Sequence, residues 1–191
     1  MRVTGGEMAG RKLAGAPAGV RPTADRVRES VFARLPRLEG ARVLDLFAGT
    51  GTLGIEALSR GAASVVFVER SGASIHALQR NLRALDLTAR CDVRRGDVGG
   101  VVRKLARLGH RFDLVLADPP YEALGELVAP LAGLVDQALL APDATLVIER
   151  SRRHAVPTVP GLAHRDSRRY GDTIVDWLAV APAESTGDSD A

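Results

Sequence analysis

The tetrapeptide Asp118-Pro119-Pro120-Tyr121 has the residue types most specific for chemistry in this chain. Consecutive prolines lack N–H donors and have a fixed φ, so such a loop is rigid and can point its carbonyl groups outward. The Asp118 carboxylate and the Pro119 carbonyl then offer two acceptors for a planar exocyclic NH₂ group, and Tyr121 offers a ring for base stacking. Hydrogen bonds from both amino hydrogens to these acceptors favour a pyramidal nitrogen, whose lone pair can attack a methyl sulfonium in line. The alternative interpretation is a proline-rich turn that only ends a strand.

A glycine-rich turn begins four residues after Asp45. Gly49, Gly51 and Gly54 have the G-x-G-x-x-G spacing that lets a backbone approach a nucleotide at a helix N-terminus. A carboxylate at the position of Asp45 would repel a diphosphate but would suit a cationic ligand or its amino group. The sequence therefore favours a cationic ligand over a diphosphate at this turn, and the alternative role for Asp45 is to cap a helix or turn.

Two further acidic residues follow the next predicted strands. Glu69 lies twenty residues after Gly49, where a carboxylate accepts both ribose hydroxyls of an adenosine group. This position predicts an adenosine without distinguishing NAD from S-adenosylmethionine. Asp97 is either an acceptor for the adenine amino group or a cap for the helix that starts at Val98. Both roles stay open.

Short β-rich runs alternate with helical stretches, which predicts a doubly wound α/β fold with a mainly parallel sheet. The predicted parallel strands are Arg42–Leu46, Ser64–Val68, Ala89–Arg94, Phe112–Ala117 and Ala144–Ile148. The intervening helices begin near Leu53, Gly72, Val98 and Glu122. An antiparallel hairpin of Leu162–Arg169 and Thr173–Val180 is predicted to complete the sheet.

A helix is also predicted ahead of this sheet, where Pro22 and Thr23 precede Val27, Val31 and Leu35 on one helical face. The predicted organisation has three parts: an N-terminal hairpin or arm over residues 1–20, one domain over 21–180, and a disordered acidic tail over 181–191.

Length and composition restrict the class of protein. The chain has 191 residues, 46% of them hydrophobic, which fits one domain of ordinary size. It has neither a run of about 18 apolar residues nor a signal peptide, so we expect a cytoplasmic protein with no membrane contact. One cysteine and four scattered histidines predict no disulfide and no metal site. The segment 150–170 carries six basic residues and one acidic residue, and this charge favours a polyanionic partner.

Several motifs together resemble a known family. The 45–54 loop, Glu69, Asp97 and the 118–121 tetrapeptide look like those of class I S-adenosylmethionine-dependent methyltransferases acting on amino groups of bases. Four longer segments resemble the bacterial 16S rRNA (guanine(966)-N(2))-methyltransferase family. They are Arg2–Leu13, Arg21–Ser30, Phe47–Gly61 and Tyr170–Thr173.

This resemblance implies a fold, a reaction and a set of site residues. The fold would be a seven-stranded methyltransferase sheet with an N-terminal β-hairpin extension, and the reaction would methylate the N2 amino group of a guanine in small-subunit rRNA. S-adenosylmethionine would be bound by Asp45, Phe47, Gly49, Gly51, Glu69 and Asp97. The target base would be held by Asp118, Pro119 and Tyr121.

The resemblance implies 16S rRNA or the 30S subunit as the partner. We expect the protein to be a monomer that contains no metal. The N-terminal extension that the resemblance implies and the positive charge of this region together predict RNA contacts. The predicted residues are Arg11, Lys12, Arg21, Arg26 and Arg28.

Three other functions remain as hypotheses. The same catalytic motifs would serve an adenine-N6 or cytosine-N4 methyltransferase acting on DNA or another RNA, although a sequence-selective DNA enzyme usually needs an added recognition region. An NAD-dependent oxidoreductase would use the glycine loop and Glu69, but no hydride-transfer acid is evident. A non-catalytic RNA-binding factor is disfavoured by the intact Asp45, Glu69 and Asp118.

Overall fold

The computed structural model describes residues 1–15 and 25–182, with side chains omitted at 121–123. The helices are α1 (Asp25–Phe32), α2 (Thr52–Ser59), α3 (Gly72–Ala84), α4 (Val98–Arg107) and α5 (Val128–Asp136), with 3₁₀ turns at Thr88–Arg90 and Tyr121–Leu127. The strands are β1 (Arg42–Leu46), β2 (Ser64–Glu69), β3 (Cys91–Arg95), β4 (Phe112–Ala117), β5 (Leu140–Ser151), β6 (Leu162–Tyr170) and β7 (Thr173–Val180).

The seven strands form one sheet in the order β3-β2-β1-β4-β5-β7-β6. Strands β1 to β5 are parallel to their neighbours in this group. Strand β7 is inserted antiparallel between β5 and β6. The prediction of a doubly wound, mainly parallel sheet completed by an antiparallel hairpin is confirmed.

Both faces of the sheet are covered, which explains why its central strands are continuous apolar runs. Val43 and Phe67 belong to a core cluster with residues of the arm and of α1, α2 and α3. In β1, Leu44 and Leu46 belong to the cluster on the opposite face from Val43, where they pack with residues of α4 and α5. Burial on two faces fixes the strand positions, and therefore fixes which residues follow each strand.

Some predicted boundaries change. Strand β3 begins at Cys91 because residues 88–90 form a 3₁₀ turn. Strand β5 has 12 residues and extends the predicted strand at both ends. The helix predicted from Glu122 is first a 3₁₀ turn and becomes α-helical at Val128. The first described residue of α1 is Asp25, and the predicted start at Thr23 lies outside the described residues.

The N-terminal arm, residues 1–15, packs onto the domain. An antiparallel bridge joins Arg2 to Lys12. Val3, Met8 and Leu13 are buried in the same cluster as α1, α2 and α3. The remainder of the predicted arm, 16–20, and most of the predicted tail, 183–191, lie outside the described residues, so the three-part division stays a prediction.

None of the helices in the described ranges is long and apolar enough to cross a membrane. In those ranges the structure also contains no group of three or more His, Cys, Asp or Glu side chains arranged to hold a metal ion.

Candidate active site

The predicted acidic residues lie along the carboxyl edge of the parallel strands. Asp45 lies in β1 beside Phe67 of β2 and Leu116 of β4. Glu69 ends β2 and Asp118 directly follows β4, so both lie two residues beyond that row. The sheet therefore brings residues from three separate segments to one site, as expected for ligand sites in open α/β sheets.

The loop between β1 and α2 depends on left-handed backbone. Phe47, Gly49 and Gly51 have φ values of 58°, 56° and 82°, and Gly51 is the N-cap of α2 without a side-chain cap. A Cβ added to Gly51 would lie 2.2 Å from Leu78 Cδ1, so this position needs glycine for both conformation and space. Gly51 therefore offers no side chain to the first N–H groups of α2, and the one at Gly54 is bound by Asp45 instead.

Asp45 is the buried carboxylate of the site. It is 1% exposed, and its Oδ2 accepts a hydrogen bond from the Gly54 N–H at 2.9 Å. Burial raises the pKa of Asp45 to about 8; the Gly54 hydrogen bond opposes this shift, and the nearby carboxylates of Asp118 and Glu69 add to it. The contact with Gly54 supports the capping alternative, and a neighbouring positive charge would favour the ionised form.

Glu69 braces the glycine loop. Its Oε2 accepts from the Gly49 N–H at 2.8 Å, and its Oε1 accepts from the Ser71 N–H at 2.7 Å. Each carboxylate oxygen has two lone-pair directions, so these bonds leave acceptor capacity for ribose hydroxyls. Glu69 is only half-buried and so remains accessible to a ligand.

Asp97 is the N-cap of α4. It is exposed, and its Oδ1 accepts from the Gly100 N–H at 2.7 Å. The capping role left open by the sequence is therefore present, while the contact with adenine stays a prediction.

The loop after β4 leads from Asp118 to the 3₁₀ turn at Tyr121, and the outward direction expected for its carbonyls stays a prediction. Asp118 is half-buried, Pro119 is buried and Pro120 is exposed. Pro120 has φ −51° and ψ 143°, and the 3₁₀ turn begins at Tyr121. The side chain of Tyr121 lies outside the described residues, so its stacking role stays a prediction.

Sequence reasoning missed two buried polar residues, of which Asn81 contacts the glycine loop and Glu56 contacts the arm. Asn81 of α3 donates to the Thr50 carbonyl at 3.0 Å and accepts from the Ala14 N–H at 2.7 Å. Glu56 of α2 accepts from Thr4 through both its N–H and its hydroxyl, at 2.8 and 2.7 Å. The available signal was a polar residue on an otherwise apolar helix face, since buried polar groups require partners.

The residues predicted to contact RNA differ in their exposure to solvent. Arg11, Lys12 and Arg26 are exposed. Arg11 Nη2 donates to the Ala84 carbonyl at 3.1 Å, which holds its side chain against the end of α3. Arg21 lies outside the described residues.

The prediction that Arg28 contacts RNA is wrong. Its side chain is completely buried. Its Nε lies 3.3 Å from Glu56 Oε2, and its Nη2 lies 3.0 Å from Asp25 Oδ1 and donates to the Arg2 carbonyl. Because these acceptors already hold it inside the protein, Arg28 joins α1 to α2 and to the arm instead of binding a ligand.

Comparison with known proteins identifies the family. The model of the family described as "Conserved hypothetical protein 95" matches residues 1–179. The chain belongs to this family. It is 34% identical over 192 residues to the Ribosomal RNA small subunit methyltransferase D of Escherichia coli strain K12, covering 100% of this chain and 94% of the relative. It is also 39% identical over 179 residues to YlbH of Bacillus subtilis strain 168, covering 92% and 96% of the two chains.

A solved structure shares the fold of this chain. The structure of yhhF from Escherichia coli matches with a TM-score of 0.81 and 35% identity, covering 94% of this chain and 97% of that chain. The expected resemblance to rRNA methyltransferases and the expected methyltransferase fold are confirmed. The roles of individual residues remain predictions.

Proposed function

We propose that this protein is an S-adenosylmethionine-dependent rRNA methyltransferase that acts on the exocyclic N2 amino group of one guanine, guanine 966, in 16S rRNA. The observation that carries the proposal is the adjacency of two loops at the ends of β1 and β4. One contains Asp45 and the glycines, and the other contains Asp118 and Pro119. The similarity to a small subunit rRNA methyltransferase supports the substrate class.

The residues present fit S-adenosylmethionine. Its positively charged sulfonium and amino groups suit an edge where Asp45 is held among other carboxylates with a pKa of about 8. Glu69 would accept the ribose hydroxyls and Asp97 the adenine amino group, while Phe47, Gly49 and Gly51 would form the wall of the site. When bound, the cofactor supplies an electrophilic methyl group.

The β4 loop would hold the target guanine. Asp118 and the Pro119 carbonyl would accept the two N2 hydrogens, and Tyr121 would stack on the base. Hydrogen bonds to both hydrogens oppose conjugation of the amino nitrogen with the ring, which leaves its lone pair available for in-line attack. Fixed acceptors of this kind need no reorganisation during the reaction.

The exposed Arg11, Lys12 and Arg26 would contact the RNA backbone, with Arg21 as a further candidate from the sequence. We expect a cytoplasmic monomer that meets its target either in free 16S rRNA or in the assembled 30S subunit.

The decisive experiment is methyl transfer from radiolabelled S-adenosylmethionine to 30S particles, and separately to free 16S rRNA. Both substrates should come from cells that lack the native enzyme, and mass spectrometry should identify the modified nucleoside. N2-methylguanosine at one site is the expected product. N6-methyladenosine, or label only in DNA or another RNA, would support the alternative base-amino methyltransferase instead. Absence of label on every nucleic acid despite cofactor binding would refute the proposal.

A further inference from the structure

A second group of charged residues lies at the same sheet edge as Asp118. Strand β5 pairs with β4 through Ile148 and Ala117, so its carboxyl end lies next to the Asp118 loop. Thr173 pairs with Ser151 of β5 and with Tyr170 of β6. The segment after β5 and the β6–β7 turn are therefore neighbours at the carboxyl edge, on the opposite side of β4 from β1.

Exposed arginines are most numerous in one half of this edge. The β1–β4 half carries Asp45, Glu69, Asp97 and Asp118 together with the exposed Arg70 and Arg95, whereas the β5–β7 half has one exposed acid, Asp172, and presents three exposed arginines. We define these as the arginine edge: Arg152, Arg153 and Arg169. A polyanion that brings a base to Asp118 therefore meets the larger positive charge on the β5–β7 side.

Buried contacts beneath the arginine edge hold its loops in place. Arg150 is buried and pairs with the completely buried Asp176 at 2.5 Å. Its Nη1 donates to the His154 carbonyl, which fixes the segment containing Arg152 and Arg153. Arg150 is therefore structural, although it belongs to the same basic segment of the sequence.

Two of the three arginines are also oriented by the β6–β7 turn. Arg152 donates its backbone N–H to the Asp172 carbonyl at 2.9 Å, and its Nε lies 2.8 Å from Asp172 Oδ1. Arg169 Nε donates to the Gly171 carbonyl at 2.9 Å. A guanidinium has five N–H donors in a planar fork, so one or two such contacts leave donors for a phosphate.

We propose that the arginine edge binds RNA phosphate groups next to the target guanine. This inference rests on the proposed function, because it takes the Asp118 loop as the base site. Backbone contacts of this type position a nucleic acid without reading its sequence. The arginine edge and the arm residues would then hold the RNA on two sides of the base site.

The test replaces Arg152, Arg153 and Arg169 with Gln and measures binding to free 16S rRNA and to 30S particles over a range of salt concentrations. A matched control replaces Lys104, Arg107 and Arg111 with Gln. These three exposed residues end α4 or precede β4, and so lie at the opposite edge of the sheet. Both variants lose three positive charges, and the arginine-edge variant also loses the side-chain contacts of Arg152 with Asp172 and of Arg169 with Gly171.

For single-stranded RNA, loss of three phosphate contacts should reduce the slope of log K against log salt by roughly 2 and raise Kd roughly 50-fold near 0.15 M salt. The affinity for S-adenosylmethionine should not change, and the control should keep the wild-type slope. An unchanged slope and Kd in the arginine-edge variant would overturn the inference. Weaker 30S binding with unchanged binding to free rRNA would also overturn it, because the contact would then be to a ribosomal protein.

Failure of the proposed function is a separate result. A wild-type protein that methylates no guanine in 16S rRNA refutes the function, whatever the salt slopes are. Normal wild-type methylation together with an unaffected arginine-edge variant refutes only the present inference.

Discussion

The side-chain amide of Asn81 donates a hydrogen bond of 3.0 Å to the carbonyl oxygen of Thr50. Thr50 lies in the glycine loop, and the same Asn81 side chain accepts from the Ala14 N–H of the arm. Asn81 is 3% exposed, so water is a poor substitute for either partner. One side chain in α3 thus fixes the glycine loop and the arm relative to each other.

Replacing Asn81 with Ala should weaken both cofactor binding and folding. The Thr50 carbonyl and the Ala14 N–H would lose their partners, at a cost of about 1–3 kcal/mol for a buried polar group. We expect a several-fold higher Kd for S-adenosylmethionine by calorimetry and a lower urea midpoint. The control is His76→Ala, at an exposed position of the same helix. Equal Kd values for the two variants would show that Asn81 does not position the loop.

Cofactor affinity should increase with pH up to about 8. Burial holds the pKa of Asp45 at about 8, so its carboxyl is largely protonated at neutral pH, whereas a cationic ligand favours the carboxylate. Binding below pH 8 should therefore release a proton, and the affinity should rise up to tenfold per pH unit before it levels off. Calorimetry in buffers of different ionisation enthalpy measures the proton directly. Asp45→Asn should remove the dependence; if it persists, another group is responsible.

The same carboxyl should make folding stability decrease as pH rises from about 4 to about 8. In this interval the unfolded Asp45 is ionised, but the folded one retains its proton, so the native state binds more protons than the unfolded state. The contribution of this group to the slope is at most about 1.4 kcal/mol per pH unit. Urea unfolding of wild type and Asp45→Asn at pH 5, 6, 7 and 8 isolates it. A constant difference between the two proteins across this range would contradict the assigned pKa.

Asp118→Ala should reduce kcat by roughly 10²–10³ by analogy with loss of one preorganised electrostatic group. Cofactor affinity should be retained, because the proposed role of Asp118 is to hold the base. The matched control is Asp113→Ala, in which the carboxylate lost is at the other end of β4 and pairs with exposed Arg42 at 3.2 Å. Single-turnover assays with 30S particles measure the chemical step. If kcat is unchanged in Asp118→Ala, the proposed role is incorrect.

Arg28 and Arg26 should behave in opposite ways although they lie two residues apart. Arg28→Ala removes the buried partner of Glu56 and should destabilise the protein by about 3–5 kcal/mol. Arg26→Ala changes an exposed residue, so stability should stay within about 0.5 kcal/mol while RNA binding weakens. Denaturant titration and filter binding separate the two effects. Loss of RNA affinity in a stably folded Arg28→Ala protein would instead restore the RNA role for Arg28.

The sequence was informative where physical chemistry acts locally. Strand ends next to glycine, aspartate and proline allowed the positions of Asp45, Glu69 and Asp118 at one edge to be predicted. Arg28 was misjudged because charge alone does not reveal burial: its partner Glu56 is 28 residues away, and only the folded structure brings them together. Asn81 was missed for the same reason, since its contacts lie 31 and 67 residues away.

The carboxylate of Glu56 affects how easily the N-terminal arm detaches from the domain. Its side chain is completely buried, and it receives donors from Thr4, Arg28 and Arg60. Detaching the arm would take the two Thr4 donors away from this buried carboxylate. Fraying from the N-terminus is therefore opposed by the cost of a buried charge with fewer partners, in addition to the loss of apolar contacts. The amide hydrogen of Thr4 should therefore exchange with solvent at the slow rate of global unfolding, unlike those of an ordinary chain end.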